Sequence, residues 1–232
     1  MKKAGLLKKI SVLVLVLLVP GFLYYLLTAE GKNRYKPLPI FGPKQLAKTT
    51  HIVKGKVIPD TIFHSLPDFK LTDQNGDPVS LKTFDHKIFV ASFFYTRCPN
   101  VCRLVNDNIS QLAANDTSKM VYFVSITVDP ERDSPAVLKN YANNFKPVPV
   151  KWLFLTGDTS TIYTLARQGF LVNALQTGKD DFIYSEKLVL IDEEKRIRGY
   201  YSGASADDVN RLDDEIKVLI SEELRKKDAP LY

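Results

Sequence analysis

At 232 residues the chain has room for one ordinary domain and an appendage. Its 45% hydrophobic and 25% charged composition is that of a globular protein and excludes a low-complexity or disordered chain. The formal charge of +6 comes largely from Lys2, Lys3, Lys8 and Lys9; the other 28 basic residues face 26 acidic ones, which argues against nucleic-acid binding.

The N-terminus carries a targeting signal. Ile10 to Leu27 is an uncharged run of 18 residues, about the minimum for a helix that spans a bilayer core. Lysines precede it, and Tyr24 and Tyr25 sit near its far end, where interfacial aromatics are common. A cleaved signal peptide is the competing assignment, but Leu27-Thr28-Ala29-Glu30 is a poor small-x-small exit. The denser positive cluster lies before the run, so residues 1–9 are expected as a cytoplasmic basic tail and 10–28 as a transmembrane anchor. The bulk of the chain is then exported, which suits a bacterial inner membrane with the domain on its periplasmic, extracytoplasmic side.

Residues 29–60 are basic, Pro-containing and without sustained periodicity, which predicts a tether with at most a short strand around His51 to Val57. The domain proper is expected over 61–224, with 225–232 as a tail. Asp68 to Thr72 and Pro78 to Leu81 flank a turn at Asp73-Gln74-Asn75-Gly76, a hairpin signal. Lys87 to Tyr95 is apolar nearly throughout, as a buried central strand should be. Val101 to Ala114 has helical spacing, and Val121 to Val128 is a second buried strand. A helix starts at Ser134-Pro135 and runs to about Asn144, with Ser134 or Asp133 as its cap. Trp152 to Leu155 is a third strand and Thr159 to Arg167 a third helix. Leu188 to Asp192 and Arg196 to Tyr201 form a second hairpin, and Ala206 to Leu224 closes the chain as an amphipathic helix. This alternation points to an α/β fold, a central sheet with helices on both faces.

Only two cysteines occur, Cys98 and Cys102, where a central strand ends and a helix begins. That junction is where reactive groups sit in open α/β sheets. Cys98 falls at the helix start, where free N–H groups and the helix dipole stabilise a thiolate. Cys102 lies one helical turn on, on the same side. The pair suits a disulfide or a soft Cu(I) ion and supplies too few ligands for structural zinc. A structural disulfide is the plainer alternative, although so small a loop gains little entropy from closure. Asp129, Arg132 and Asp133 are expected as a helix cap with a local ion pair. Arg97 and Arg103 flank the thiols, either to lower their pKa or guide an acidic partner, or simply as solvated flanks. No Gly-rich phosphate loop, G-x-S-x-G or H-E-x-x-H occurs, so nucleotide binding and common hydrolase chemistry have no support.

The stretch Phe94-Tyr95-Thr96-Arg97-Cys98-Pro99-Asn100-Val101-Cys102 resembles the cysteine motif of the SCO/SenC proteins. Three further stretches agree in order and spacing: Pro67 to Gly76, Val128 to Pro135, and Leu190-Ile191-Asp192 followed by Ile197 to Tyr201. The resemblance implies a thioredoxin-like fold in its peroxiredoxin-like variant, with a central mixed sheet over about residues 60 to 224. It also implies a role in cytochrome c oxidase assembly, with Cys98 and Cys102 delivering Cu(I) to the binuclear copper site. The expected partner is the copper-bearing subunit of that oxidase, or another exported thiol protein.

One departure stands out. The family's copper site adds a histidine from a loop before the penultimate strand, and the corresponding position here is Tyr184, followed by Ser185. Arg103 also replaces the proline that often follows the second cysteine. No other histidine substitutes. His86 precedes the strand whose far end carries Cys98, about 25 to 30 Å away; His51 lies in the tether and His64 at the start of the domain. A neutral phenol, with a pKa of about 10, is a poor copper ligand. Cu(II), which favours nitrogen, should lose most of its site, whereas a dithiol/disulfide reaction needs no histidine. Three activities follow: Cu(I) delivery, thiol–disulfide oxidoreduction with Cys98 as nucleophile and Cys102 resolving, and peroxide reduction or redox sensing.

Overall fold

The uncharged N-terminal run folds into a helix, α1 (Lys2–Ala29), which contains Pro20. The computed structural model describes residues 2–29, 37–53, 56–98, 100–145, 151–178 and 181–228. Helix α1 belongs to a unit of its own, residues 1–36, and its described side chains, 12–25, are exposed. Among the described residues no helix is long and apolar enough to cross a membrane. The segment expected as a span, 10–28, is helical, and its crossing of a membrane is not shown by the described residues.

The second unit, residues 37–232, opens with a difference from expectation. The segment expected as a tether holds most of a long antiparallel hairpin, β1 (Lys44–Val53) and β2 (Lys56–Phe63). The short strand expected at 51–57 in fact straddles its turn. The segment before the hairpin is fastened by Arg198. This buried guanidinium bonds the carbonyls of Leu38 (2.6 Å) and Pro39 (3.1 Å), Glu222 (2.6 Å) and Asp192 (3.3 Å).

The remaining elements follow the predicted order. β3 (Leu71–Asp73) and β4 (Pro78–Val79) flank a turn in which the Asp73 carboxylate accepts the N–H groups of Asn75 and Asp77. Gly76, at φ +90°, supplies the left-handed conformation that this turn needs. β5 (Ile88–Phe94) is buried along its whole length and leads into α2 (Asn100–Asn115). β6 (Val121–Thr127), α3 (Pro135–Ala142), β7 (Trp152–Thr156) and α4 (Thr159–Thr164) come next. Ser134 caps α3, accepting the Val137 N–H, and Pro135 occupies the first turn. Past α4 the chain widens into a π turn, Leu165–Gly169. A hairpin not predicted from the sequence then appears, β8 (Ala174–Gln176) with β9 (Phe182–Tyr184). β10 (Lys187–Ile191), β11 (Ile197–Ser202) and α5 (Ala206–Asp228) close the fold, with α5 running four residues past the expected Leu224.

The seven-stranded sheet has the order β11-β10-β5-β6-β7-β3-β4. β5, β6 and β7 are parallel; β10 and β3 join them antiparallel, so the sheet is mixed. Alternate residues of β5 feed two apolar layers. Phe89, Ala91 and Phe93 meet Ile162, Leu165, Ala166 and Phe170 on one face. Ile88, Val90 and Phe94 meet α2, α3 and α5 through Val105, Ile109, Leu138, Leu212 and Ile216 on the other. Helices thus cover both faces, as predicted. Among the described residues no buried side chain precedes Leu66, so residues 37–232 contain their whole core.

Candidate functional site

β5 ends where its apolar run ends, and a tight turn (Cys98 N–H to Tyr95 carbonyl, 3.1 Å) carries the chain into α2. Cys98 and Cys102 meet there as a disulfide with Cα atoms 5.9 Å apart. Helical periodicity turns Cys102 into the core beside Val105, while Cys98 stays half-exposed. Cys98 is therefore the more accessible cysteine of the pair.

The β8–β9 hairpin lays a third group over this pair. The Tyr184 hydroxyl lies 3.0 Å from Cys98 Sγ and 2.9 Å from Cys102 Sγ. Disulfide sulfurs carry no proton, so the phenol is the donor, shared between them. Its ring stands edge-on to Tyr95, at 5.7 Å between centroids, and Tyr95 packs in turn on Phe182 of the same hairpin. Burial, with smaller contributions from Tyr95, Glu186 and Tyr141, pushes the Tyr184 pKa up to about 12. At neutral pH the group over the sulfurs is an uncharged O–H.

The turn that presents Cys98 is also held by the connection between β6 and α3. Asp133, buried after β6, accepts the Thr96 backbone N–H (3.1 Å) and hydroxyl (2.5 Å), and the Thr127 hydroxyl as well. Thr127 Oγ1 in turn accepts the Asp129 N–H at 3.0 Å. Ser134, not Asp133, caps the helix; Asp133 clamps the cysteine turn. The expected local ion pair is present, with Arg132 3.3 Å from Asp129, and Arg97 joins the same carboxylate at 3.7 Å. Arg103 points outward, 81% exposed and 4.0 Å from Asp107. One turn below Cys102, the buried Asn106 donates to the Tyr141 hydroxyl (3.0 Å), while its own carbonyl oxygen has no partner among the described residues. Burial raises the Tyr141 pKa.

The structure brings together Cys98, Cys102 and Tyr184 and leaves the histidines apart. His86 occupies the turn before β5, at the opposite end of that strand, 3.7 Å from Glu193. His64 is engaged with the Gly169 carbonyl, 2.7 Å from Nε2. His51 lies in β1, its side chain outside the described residues. Among the described residues no cluster of three or more His, Cys, Asp or Glu could hold a metal ion. Sequence reasoning missed the Asp133–Thr96 clamp and the hairpin that carries Tyr184. The hairpin had one signal, Thr177-Gly178 between two short runs with apolar residues.

A profile of the SCO1/SenC family matches residues 62–221. The chain belongs to the SCO1/SenC family. It is 28% identical over 209 residues to an SCO2-like protein of Rickettsia typhi, covering 87% of this chain and 94% of that one. Among solved structures, Bradyrhizobium japonicum ScoI with copper bound superposes with a TM-score of 0.57 at 28% identity, covering 67% of this chain and 99% of that one. BsSco, a member of the Sco family of cytochrome c oxidase assembly proteins in which a disulfide switch is described, gives 0.60 at 25%, covering 66% and 90%. SCO relatives thus include a copper-binding protein and an oxidase assembly protein with a disulfide switch.

Proposed function

We propose that this protein is an SCO-type assembly factor whose Cys98–Cys102 pair performs thiol–disulfide exchange on exported cysteines, foremost those of the copper-bearing subunit of cytochrome c oxidase. The observation that carries this is the placement of an uncharged phenol at hydrogen-bond distance from both sulfurs. The family resemblance expects a nitrogen ligand there. A neutral O–H serves sulfur chemistry and is a poor metal ligand.

In the reducing direction the thiolate of Cys98, the accessible sulfur, attacks one sulfur of the partner's disulfide. The S–S bond of the partner breaks, a mixed disulfide forms, and the departing partner sulfur leaves as thiolate. Cys102 then attacks Cys98, closing the disulfide seen here and releasing the second partner thiolate. Two electrons pass to the partner. Tyr184, donating to whichever sulfur carries charge, stabilises the thiolate of the reduced pair.

A second activity has its own support: copper is bound in the ScoI relative, and two thiolates suit Cu(I). Cu(I) is then cargo for the oxidase subunit, held through Cys98 and Cys102 once they are reduced, while Cu(II) finds no nitrogen at Tyr184. Anchoring at the bacterial inner membrane, with the domain outside the cytoplasm, is supported by the uncharged run Ile10–Leu27 and the lysines before it.

The deciding experiment is an anaerobic Cu(I) titration of reduced residues 37–232 against a competing chelator, with Cys98→Ser as control, alongside a redox titration of the same protein. A reversible two-electron couple without competitive copper binding establishes the exchange activity. Tight one-to-one binding lost in the control makes copper delivery the primary role.

A further inference from the structure

Among the described residues, no side chain of the β1–β2 hairpin is fully buried. Leu46 (74% exposed) and Val57 (66%) are the most exposed large apolar residues described in 37–232, and Ile62 (56%) and Ile58 (41%) lie on the same arm. Leu46 stands opposite Thr61, and Val57, Pro59 and Thr61 alternate on one side of β2, so Leu46 and Val57 share a face. Ile58 and Ile62 line the other. The base of the arm is fixed: Phe41 bridges to Ile197 and packs edge-on to Tyr200 at 5.5 Å, and Lys44 lies over the Phe63 ring. A two-stranded hairpin with no buried face is marginal in water, and paired aliphatic side chains on it call for a cover.

Charge indicates what the cover is. From Gly31 to Pro59 the chain carries seven basic residues and no acidic one, with Lys44, Lys48 and Lys56 on the strands themselves. On the strands Asp60 is the one carboxylate beside these lysines, and aliphatic side chains interleaved with an excess of lysines suit a phosphate-bearing apolar surface. Fourteen residues, 30–43, separate α1 from β1 in the sequence.

We propose that the β1–β2 hairpin docks on an anionic phospholipid surface, its aliphatic residues entering the headgroup layer and its lysines meeting lipid phosphates. The membrane is the one that α1 enters in the anchored protein, and the proposal rests on that assignment. Such docking limits the orientations that the domain samples above the bilayer.

The test uses residues 37–232, whose core is self-contained, sedimented with large unilamellar vesicles of phosphatidylcholine and phosphatidylglycerol at 3:1, or of phosphatidylcholine alone. Partition into the anionic vesicles is expected, at least tenfold weaker on the neutral ones and falling with salt. Lys44→Glu/Lys48→Glu/Lys56→Glu and, separately, Leu46→Ser/Val57→Ser should each weaken it tenfold or more while leaving the near-ultraviolet circular dichroism of the core unchanged. Absence of anionic partition overturns the proposal, as does partition that both variants retain. A hairpin-dependent dimer in sedimentation velocity overturns it too, assigning the arm to a second copy. Release of the full chain from membranes by alkaline carbonate would instead count against the anchor, since the vesicle assay contains no α1.

Discussion

Asp133 reaches across the end of the sheet to Thr96, 37 residues earlier, and holds its backbone N–H and hydroxyl at 3.1 and 2.5 Å. Because Thr96 lies two residues before Cys98, a buried carboxylate on the β6–α3 connection sets the geometry of the cysteine turn. The Asp133→Ala variant leaves the Thr96 and Thr127 donors without their acceptor. It should destabilise the domain by about 3 kcal/mol or more, since hydrogen bonds to a charged group contribute about 1.5–3 kcal/mol each. Urea unfolding of the oxidised protein checks this, and Asp133→Asn should lose roughly half as much. An unchanged midpoint in both variants would remove the clamp.

Tyr184→Phe keeps the ring and deletes the donor. When a small dithiol attacks the disulfide, the leaving thiolate loses a hydrogen bond worth about 1.5 kcal/mol, which is roughly a tenfold fall in rate. Stopped-flow reduction at pH 7 measures it. The reduction potential should also become more negative, because the reduced thiolate state has lost its partner. Equal rates in the two proteins would leave Tyr184 as a mere cover.

The phenol should titrate late. Ultraviolet difference spectra of the wild type against Tyr184→Phe should place the Tyr184 midpoint near pH 12, against about 10 for a free tyrosine, with burial as the main cause. A pKa raised in the folded state adds stability that is complete below about pH 10 and is lost as pH rises through 12. The difference in urea midpoint between the two proteins should therefore drift across that window and stay flat between pH 6 and 9.

Tyr184→His should add the nitrogen donor that the family resemblance leads one to expect. The variant with reduced cysteines should bind Cu(II) with a strong thiolate-to-copper charge-transfer absorption that the wild type lacks. Anaerobic titration followed by visible absorption reads this directly. If wild type and variant bind Cu(II) alike, the residue at 184 does not select the metal.

What the sequence showed of this site depended on how far apart its parts lie along the chain. Cys98 and Cys102 were legible because the apolar run of β5 stops beside them and helical spacing begins at Val101. Tyr184 was legible only through the family resemblance, since β8 and β9 are three residues each and too short for any periodicity. Asp133 looked like a cap because a neighbouring helix start is visible in sequence and a contact 37 residues away is not. The β1–β2 hairpin escaped for a different reason. None of its described side chains is fully buried, so no alternation marks its strands, and its lysines gave the composition of a linker.

Among the described residues, the β8–β9 hairpin pairs with no strand of the main sheet. The residue over the sulfurs is therefore carried on an accessory that the seven-stranded scaffold does not depend on for its own hydrogen bonding. Exchanging that side chain leaves the frame that holds the cysteines intact, so what touches the sulfurs is separable from what positions them.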